Sequence, residues 1–311
     1  VDASASASAS ASASPFGWYP GCPESLDLPA PINPDPNSWK SQKFKAKQAM
    51  LKENRRTKKQ ERKARRAAAA VDLPTAVDDN SDGELSEEAR RARAEDARRR
   101  KAEERAEELR SWQSRAAEGP TVVIDCEWES AMTDRQLASV AQTLGRCFGA
   151  NKRAERPVRL LFSGVRAGSP TDALLRRTPG FETWAERLTI SEEPYIRLFD
   201  PSHLVYVTPE GERPASEEDF VADPEAVYVM GGLNDNNRLA GKSRLKADLQ
   251  GVRSVRLPIP EVLGIKGNAC ILTMHQVLCI ALSRRAGASW FEALTKEMPN
   301  RKLKTRPPSE P

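Results

Sequence analysis

VYVMGGLNDNNR, Val227 to Arg238, is the stretch on which the reading of this 311-residue chain turns. An apolar, β-branched run ends in two glycines, and one carboxylate, Asp235, then sits among three asparagines and an arginine. Such a strand delivers its last residues to a loop, and the glycine pair lets that backbone turn or approach a ligand where Cβ atoms would clash. Alone, a strand followed by Gly-Gly is as well explained by a plain turn.

The elements around this stretch decide between the two. TVVIDCEW, Thr121 to Trp128, reads as a strand, and TDRQLASVAQTLGRCFGANKR follows with Leu137, Val140, Ala141, Leu144 and Phe148 at helical spacing behind Thr133 as N-cap. Val158–Val165 reads as the second strand, Phe181–Leu188 as helical, Leu204–Thr208 as a strand, and the opening stretch as a strand ending at Gly232. Lys242–Leu249 is expected as a helix, Ser254–Pro260 as a strand, and Thr273–Arg285 and Ser289–Met298 as the closing helices. Strands alternating with helices predict an α/β domain with a largely parallel sheet over residues 119–306, which binds ligands at the C-terminal ends of its strands.

The rest of the chain differs in character. Mean hydropathy is −0.62, 30% of residues are charged and 23 are Pro, so part of the chain is expected to lie outside any packed core. No run approaches a membrane-spanning length. Cys22, Cys126, Cys147, Cys270 and Cys279 are odd in number and form no C-x-x-C, which points to a reducing compartment and no zinc site. The chain begins at Val1 rather than Met, so a targeting peptide upstream stays open.

Residues 1–39, an Ala-Ser alternation followed by a Pro-rich stretch, read as a disordered tail in which Trp18, Tyr19 and Trp39 are the only features of a docking motif. Residues 40–70 form a basic extension. Lys40 to Arg66 holds 13 Lys or Arg against two Glu, a net +11 in a chain whose total is +5. A solvated face is the bland explanation of a charge run; this density without balancing acids points to a polyanion, with the phosphate backbone the obvious one. The block also passes as a nuclear localisation signal. Residues 71–85 are an acidic linker, 86–118 a charged helix with Ser86 as N-cap and ten basic and nine acidic residues, and 307–311 a tail.

Four ordered motifs carry a resemblance. Gly231 to Arg238 (GG-x-x-D-x-N-R), Arg256 to Ile259 (R-L-P-I), Leu272 to Val277 (L-T-x-x-Q-V), and Ser289 to Lys302 (S-W-x-x-A, then P-x-R-K) together resemble the tRNA (purine-9) N(1)-methyltransferases, a family of SPOUT-class enzymes. RCFGANKR, Arg146 to Arg153, looks like that family's R-C-Y-x-x-N-R-R, and the resemblance covers roughly residues 119–304. Thr143, His275 and Asn234 depart from the family pattern. His275 can be read as a second acid or base, or as a satisfied polar residue at a helix start.

The resemblance implies an S-adenosylmethionine-dependent methyltransferase, monomeric, with a C-terminal trefoil knot and no metal. It implies that Val207, Gly231, Gly232, Asn236, Arg238, Ser243, Leu257 and Thr273 line the cofactor, mostly through backbone atoms, and that Asp235 is the general base. Guanine N(1) carries a proton and is a poor nucleophile until the proton leaves, whereas adenine N(1) already has a free lone pair, so a carboxylate at Asp235 fits guanine better. Asp235 could instead cap its loop or neutralise the cofactor's charge.

Position 9 of a tRNA is packed in its tertiary core, so the base must be brought out while the backbone is held on either side. Lys40, Lys43, Lys45, Lys47, Arg55, Arg56, Lys58 and Lys59 in the extension, with Arg146, Lys152 and Arg153, are the candidates for that grip. Methylation of adenine 9 or of both purines, including as a subunit of a mitochondrial tRNA-processing complex, and a non-catalytic tRNA-binding scaffold are the alternatives. Val1 to Trp39 holds no Arg, unlike a mitochondrial presequence, which favours nucleus or cytoplasm. A Rossmann-type enzyme is disfavoured because no G-x-G-x-x-G follows Trp128.

Deleting residues 1–85 is expected to weaken tRNA binding severely in a filter-binding assay while sparing cofactor affinity; equal tRNA affinity after truncation would refute the role of the extension.

Overall fold

A computed structural model describes residues 22, 26–30, 42, 49–50, 53–54, 56–57, 60–61, 87–221, 223–234 and 238–303. Asp235, Asn236, Ser86 and, in the basic extension, Lys40, Lys43, Lys45, Lys47, Arg55, Lys58 and Lys59 lie outside them. Two compact units divide the chain, one of residues 32–107 and one that joins residues 1–31 to 108–311. In the first, the described residues of the basic extension, Arg56 among them, are helical, and α1 (Glu87–Ala117) begins.

The second unit is built on a seven-stranded sheet in which every pair is parallel: β1 (Thr121–Asp125), β2 (Arg159–Ser163), β3 (Leu188–Ile190), β4 (Leu204–Val207), β5 (Arg213–Pro214), β6 (Val227–Gly231) and β7 (Arg253–Arg256), in the order β3-β2-β1-β6-β4-β7-β5. β1 is an interior strand and wholly buried, which is why its sequence is a continuous apolar run rather than an alternation. Its register sets Asp125 level with Ser163 on one side and Gly231 on the other.

Helices cover both faces. On one, α2 (Asp134–Lys152), α3 (Pro170–Arg176), α7 (Met274–Arg285) and α8 (Trp290–Glu297) pack over residues such as Val122, Ile124 and Tyr228. On the other, α4 (Tyr195–Leu198) and α5 (Lys242–Leu249) bring Tyr195 and Ala247 against Val123, Tyr206 and Val229. α6 (Ile259–Leu263) and α9 (Asn300–Leu303) are short. The starts of α2, α7 and α8 are fixed by capping boxes, Thr133 with Gln136, Thr273 with Gln276 and Ser289 with Glu292.

The strands are shorter than their apolar runs. β1 stops at Asp125 because Trp128 turns inward to the carboxylate, and β7 stops at Arg256 because Pro258 and Pro260 open α6 instead of extending a ladder. The helical stretch expected over Phe181–Leu188 is a 3-10 helix, Phe181–Glu186, and Leu188 opens β3. The tail also departs from expectation: within residues 1–39, Cys22 and Leu26 are buried and Leu28 packs on the same core. α1, whose charge pattern shows almost no apolar stripe, buries Trp112 and Ala116 in its last turns.

Motif residues divide between packing and surface. Cys147 and Phe148 are core, Phe148 stacking on Trp184 at 4.7 Å. Asn151 is 1% exposed and bridges α2 to β2, its amide donating to Val158 O and accepting from Val158 N, both at 2.9 Å. Asn151→Ala strands a buried donor and a buried acceptor. It is expected to cost about 2–4 kcal/mol in denaturant unfolding; a loss below about 0.5 kcal/mol, the scale of an ordinary surface change, would contradict this brace.

Candidate functional site

The opening stretch, β6 and the residues after it, reaches the C-terminal edge of the sheet beside β4 and β7. There a cavity of about 500 Å³ is lined by Val207 of β4, Gly231 of β6, Leu257 after β7, Ser243 of α5, and Ile271, Met274 and Val277 at the entry to α7. Its size suits a small-molecule site, with apolar walls and convergent polar groups. Of the residues expected around a cofactor, Val207, Gly231, Ser243 and Leu257 meet here. Gly232, Arg238 and Thr273 lie outside the lining, and Asp235 and Asn236 outside the described residues.

Each of the three outside the lining has a physical reason for its identity. Gly232 donates its N–H to Asp125 O at 2.8 Å, and a Cβ there would stand 2.7 Å from that carbonyl oxygen. Thr273 spends its hydroxyl on the capping box of α7. Arg238 donates to the carbonyls of Pro29, Ala30 and Ala131.

Beneath the cavity lies a buried ionic network absent from the sequence expectations. Lys246 and Asp125 are both 0% exposed, with Lys246 Nζ 2.7 Å from Asp125 Oδ2 and 3.0 Å from Glu127 Oε2. Tyr206 OH and Trp128 Nε1 each donate to Asp125 Oδ2 at 3.0 Å, and the Trp128 and Tyr195 rings lie 5.2 Å from the ammonium. Ser243 hydrogen-bonds the Tyr206 phenol, which links this network to the cavity wall. A fully buried strand ending in Asp was the available signal, because an unpaired carboxylate there would be prohibitive.

Burial opposes the charged form of Lys246, but Asp125 and then Glu127 reverse that and raise its pKa. Burial first, then Asp125, holds the Tyr195 and Tyr206 phenols well above their ordinary value. All three shifts run upward, so the folded state retains protons that the unfolded chain releases from about pH 10. That stability is complete below the unfolded pKa values and is lost as pH rises beyond them.

A second cavity, about 880 Å³, lies on the other side of the first turn of α7, against α2. Arg146, Lys152, Arg153, Arg177 and His275 line it with no carboxylate among the lining residues. Arg146 donates to Thr143 Oγ1 at 2.7 Å, which gives the unusual Thr143 a partner. Burial and then Arg146 lower the His275 pKa, so the ring is neutral near pH 7, and it lies 3.7 Å from Cys279 Sγ. His275 does not line the smaller cavity. Among the described residues no group of three or more His, Cys, Asp or Glu could hold a metal, and no helix is long and apolar enough to cross a membrane.

Lys246→Met leaves Asp125 without its cation and is expected to cost about 3–5 kcal/mol in denaturant unfolding at neutral pH. The parent chain is expected to lose stability steeply above about pH 10. An unfolding midpoint flat between about pH 8 and 11 would contradict the protonated network.

Comparison with known proteins places this geometry in a family. The family model described as tRNA (guanine(9)-N(1))-methyltransferase TRM10/TRM10A matches residues 36–303. The tRNA (guanine(9)-N(1))-methyltransferase Trmt10A of Drosophila melanogaster is 28% identical over 184 residues, 59% of this chain and 56% of that protein. The tRNA methyltransferase 10 homolog B of Mus musculus is 33% identical over 184 residues, 57% of this chain and 56% of that protein. This chain therefore spans just over half the length of these curated relatives. Two solved structures share its fold: full-length spTrm10 in complex with SAH, at TM-score 0.50 and 25% identity over 58% of this chain and 98% of that one, and spTrm10(74), at 0.51 and 27% over 58% and 94%. Their likeness agrees with a mixed α/β fold of SPOUT type on a seven-stranded parallel sheet. Matched from residue 36 to residue 303, the chain belongs to the tRNA (guanine(9)-N(1))-methyltransferase TRM10/TRM10A family.

Proposed function

We propose that this chain transfers the methyl group of S-adenosylmethionine to N(1) of guanine at position 9 of tRNA. The observation that carries this is the 500 Å³ cavity into which β4, β6 and β7 deliver Val207, Gly231 and Leu257, with Ser243 opposite, in a chain of this family. The SAH complex of a related fold supports the same cofactor class.

Val207, Gly231, Ser243 and Leu257 would hold S-adenosylmethionine from the cavity wall, and Gly232, Asn236, Arg238 and Thr273 complete the set through the loops that shape it. The side chains of Leu239, Met274 and Val277 give that wall its apolar share. S-adenosylmethionine supplies an electrophilic methyl on its sulfonium and leaves as the thioether. Asp235, two residues beyond Leu233 of the cavity wall, takes the N(1) proton of guanine so that the ring lone pair can attack. Arg146, Lys152 and Arg153 of the larger cavity, with Lys40, Lys43, Lys45, Lys47, Arg55, Arg56, Lys58 and Lys59, hold the tRNA backbone.

The same reading extends to a C-terminal trefoil knot behind the cofactor loops, a basic N-terminal extension serving the RNA, and a monomer acting without metal. Methyl transfer from a sulfonium to a deprotonated ring nitrogen asks for positioning and a base, both of which one chain can supply. The basic run Lys40 to Arg66 supports a nuclear or cytoplasmic location.

Unmodified tRNA transcripts carrying G or A at position 9, incubated with labelled S-adenosylmethionine, test the proposal. Label is expected at N(1) of guanine 9 only. Asp235→Asn is expected to lower kcat by about 10²–10⁴-fold with KM for the cofactor little changed, the parent rate rising with pH until the base is ionised. Label on adenine alone, or a variant as fast as the parent across the pH range, would overturn the guanine specificity or the base role.

A further inference from the structure

Leu26–Ala30 is a strap docked on the catalytic unit beside the candidate site. Leu26 is 5% exposed in the cluster that holds Ala131, Met132 and Leu239, Leu28 packs against that cluster, and Cys22 is buried a few residues earlier. Its carbonyls are engaged by two cations: Asp27 O accepts from Lys242 Nζ at 2.7 Å, and Pro29 O and Ala30 O accept from Arg238 Nη1 at 2.8 and 3.2 Å. Arg238 and Lys242 flank the run Leu239, Ala240, Gly241 that lines the 500 Å³ cavity. The strap therefore lies on the two cations that flank this part of the cavity wall.

Neutral carbonyls give a guanidinium and an ammonium no charge partner, whereas phosphate oxygens meet both with an opposite charge and can take Arg238 bidentately. Asp27, Pro29 and Ala30 are exposed, so the strap rests on two leucines and a few carbonyls, the profile of a segment that opens locally at low cost. Resting on the reading above that the substrate is tRNA, we propose that Arg238 and Lys242 are a docking face for the tRNA phosphate backbone, which the strap covers until RNA displaces it. The strap then acts as an intramolecular competitor, and apparent tRNA affinity is the intrinsic affinity multiplied by the fraction of molecules in which the strap is open.

The test uses the full chain with Leu26→Ser and Leu28→Ser together, which loosens the strap without changing charge. Apparent tRNA affinity is expected to tighten by about 3- to 10-fold, as for a strap docked in most molecules, with cofactor affinity unchanged. Adding Lys242→Ala to that variant is expected to reduce the slope of log affinity against log salt by about one. Equal or weaker tRNA binding by the serine variant, or a salt slope unmoved by Lys242→Ala, would overturn the proposal. Should the serine variant unfold, limited proteolysis of the parent chain decides: cleavage between Asp27 and Ala30 is expected to speed up on adding tRNA, and protection by tRNA would contradict displacement. A parent chain that binds no tRNA would sink the functional reading along with the strap, whereas tRNA binding with no change at the strap sinks the strap alone.

Discussion

One buried ion cluster organises the C-terminal edge of this sheet. Asp125 ends β1 in full burial, where a carboxylate is tolerable only if a cation and donors meet it. Lys246 from α5, Tyr206 from β4 and Trp128 from the loop after β1 all converge on Asp125 Oδ2. Three segments distant in sequence, β1 with the loop after it, β4 and α5, are thus tied at one point, and Ser243, three residues before Lys246, is set into the cavity wall by the same tie. The cluster acts as a positioning device for the loops; its members stand behind the cavity rather than in its lining.

Much of the fold could be read from local patterns. β1 and β6 follow from short, dense apolar β-branched runs, and the starts of α2, α7 and α8 from Thr or Ser with Gln or Glu three residues on. The edge that holds the cavity was legible because parallel sheets gather strand ends there, and the family resemblance named Val207, Gly231, Ser243 and Leu257 among the residues on it. What was illegible depended on distant partners. KSRLKADL reads as a surface helix, and nothing in it shows that Lys246 is buried; the cause is a carboxylate 121 residues earlier. Leu26 and Leu28 sit in a Pro-rich stretch whose composition reads as a tail, and only the distant apolar cluster they pack on buries Leu26 and half-buries Leu28. β3 and β5, with three and two residues, are too short to carry a period.

The family motifs also separate by physical duty. Within Arg146–Arg153, Cys147 and Asn151 hold α2 in place so that Arg146, Lys152 and Arg153 can present charge in the larger cavity. In Gly231–Arg238, Gly231 borders the smaller cavity, Gly232 permits close approach to β1, and Arg238 turns to the strap. The first turn of α7 stands between the two cavities, Met274 and Val277 facing one and His275 the other. A cavity of small-molecule size thus stands on one side of that turn and a basic wall on the other.

The most direct measurement is a crystal structure of the chain with S-adenosylhomocysteine bound. The ligand is expected between Val207, Ser243 and Leu257, with Asp125 still paired to Lys246 beneath it. Density for the ligand in the Arg146 and His275 cavity, or an intact smaller cavity left empty at saturating ligand, would contradict the account.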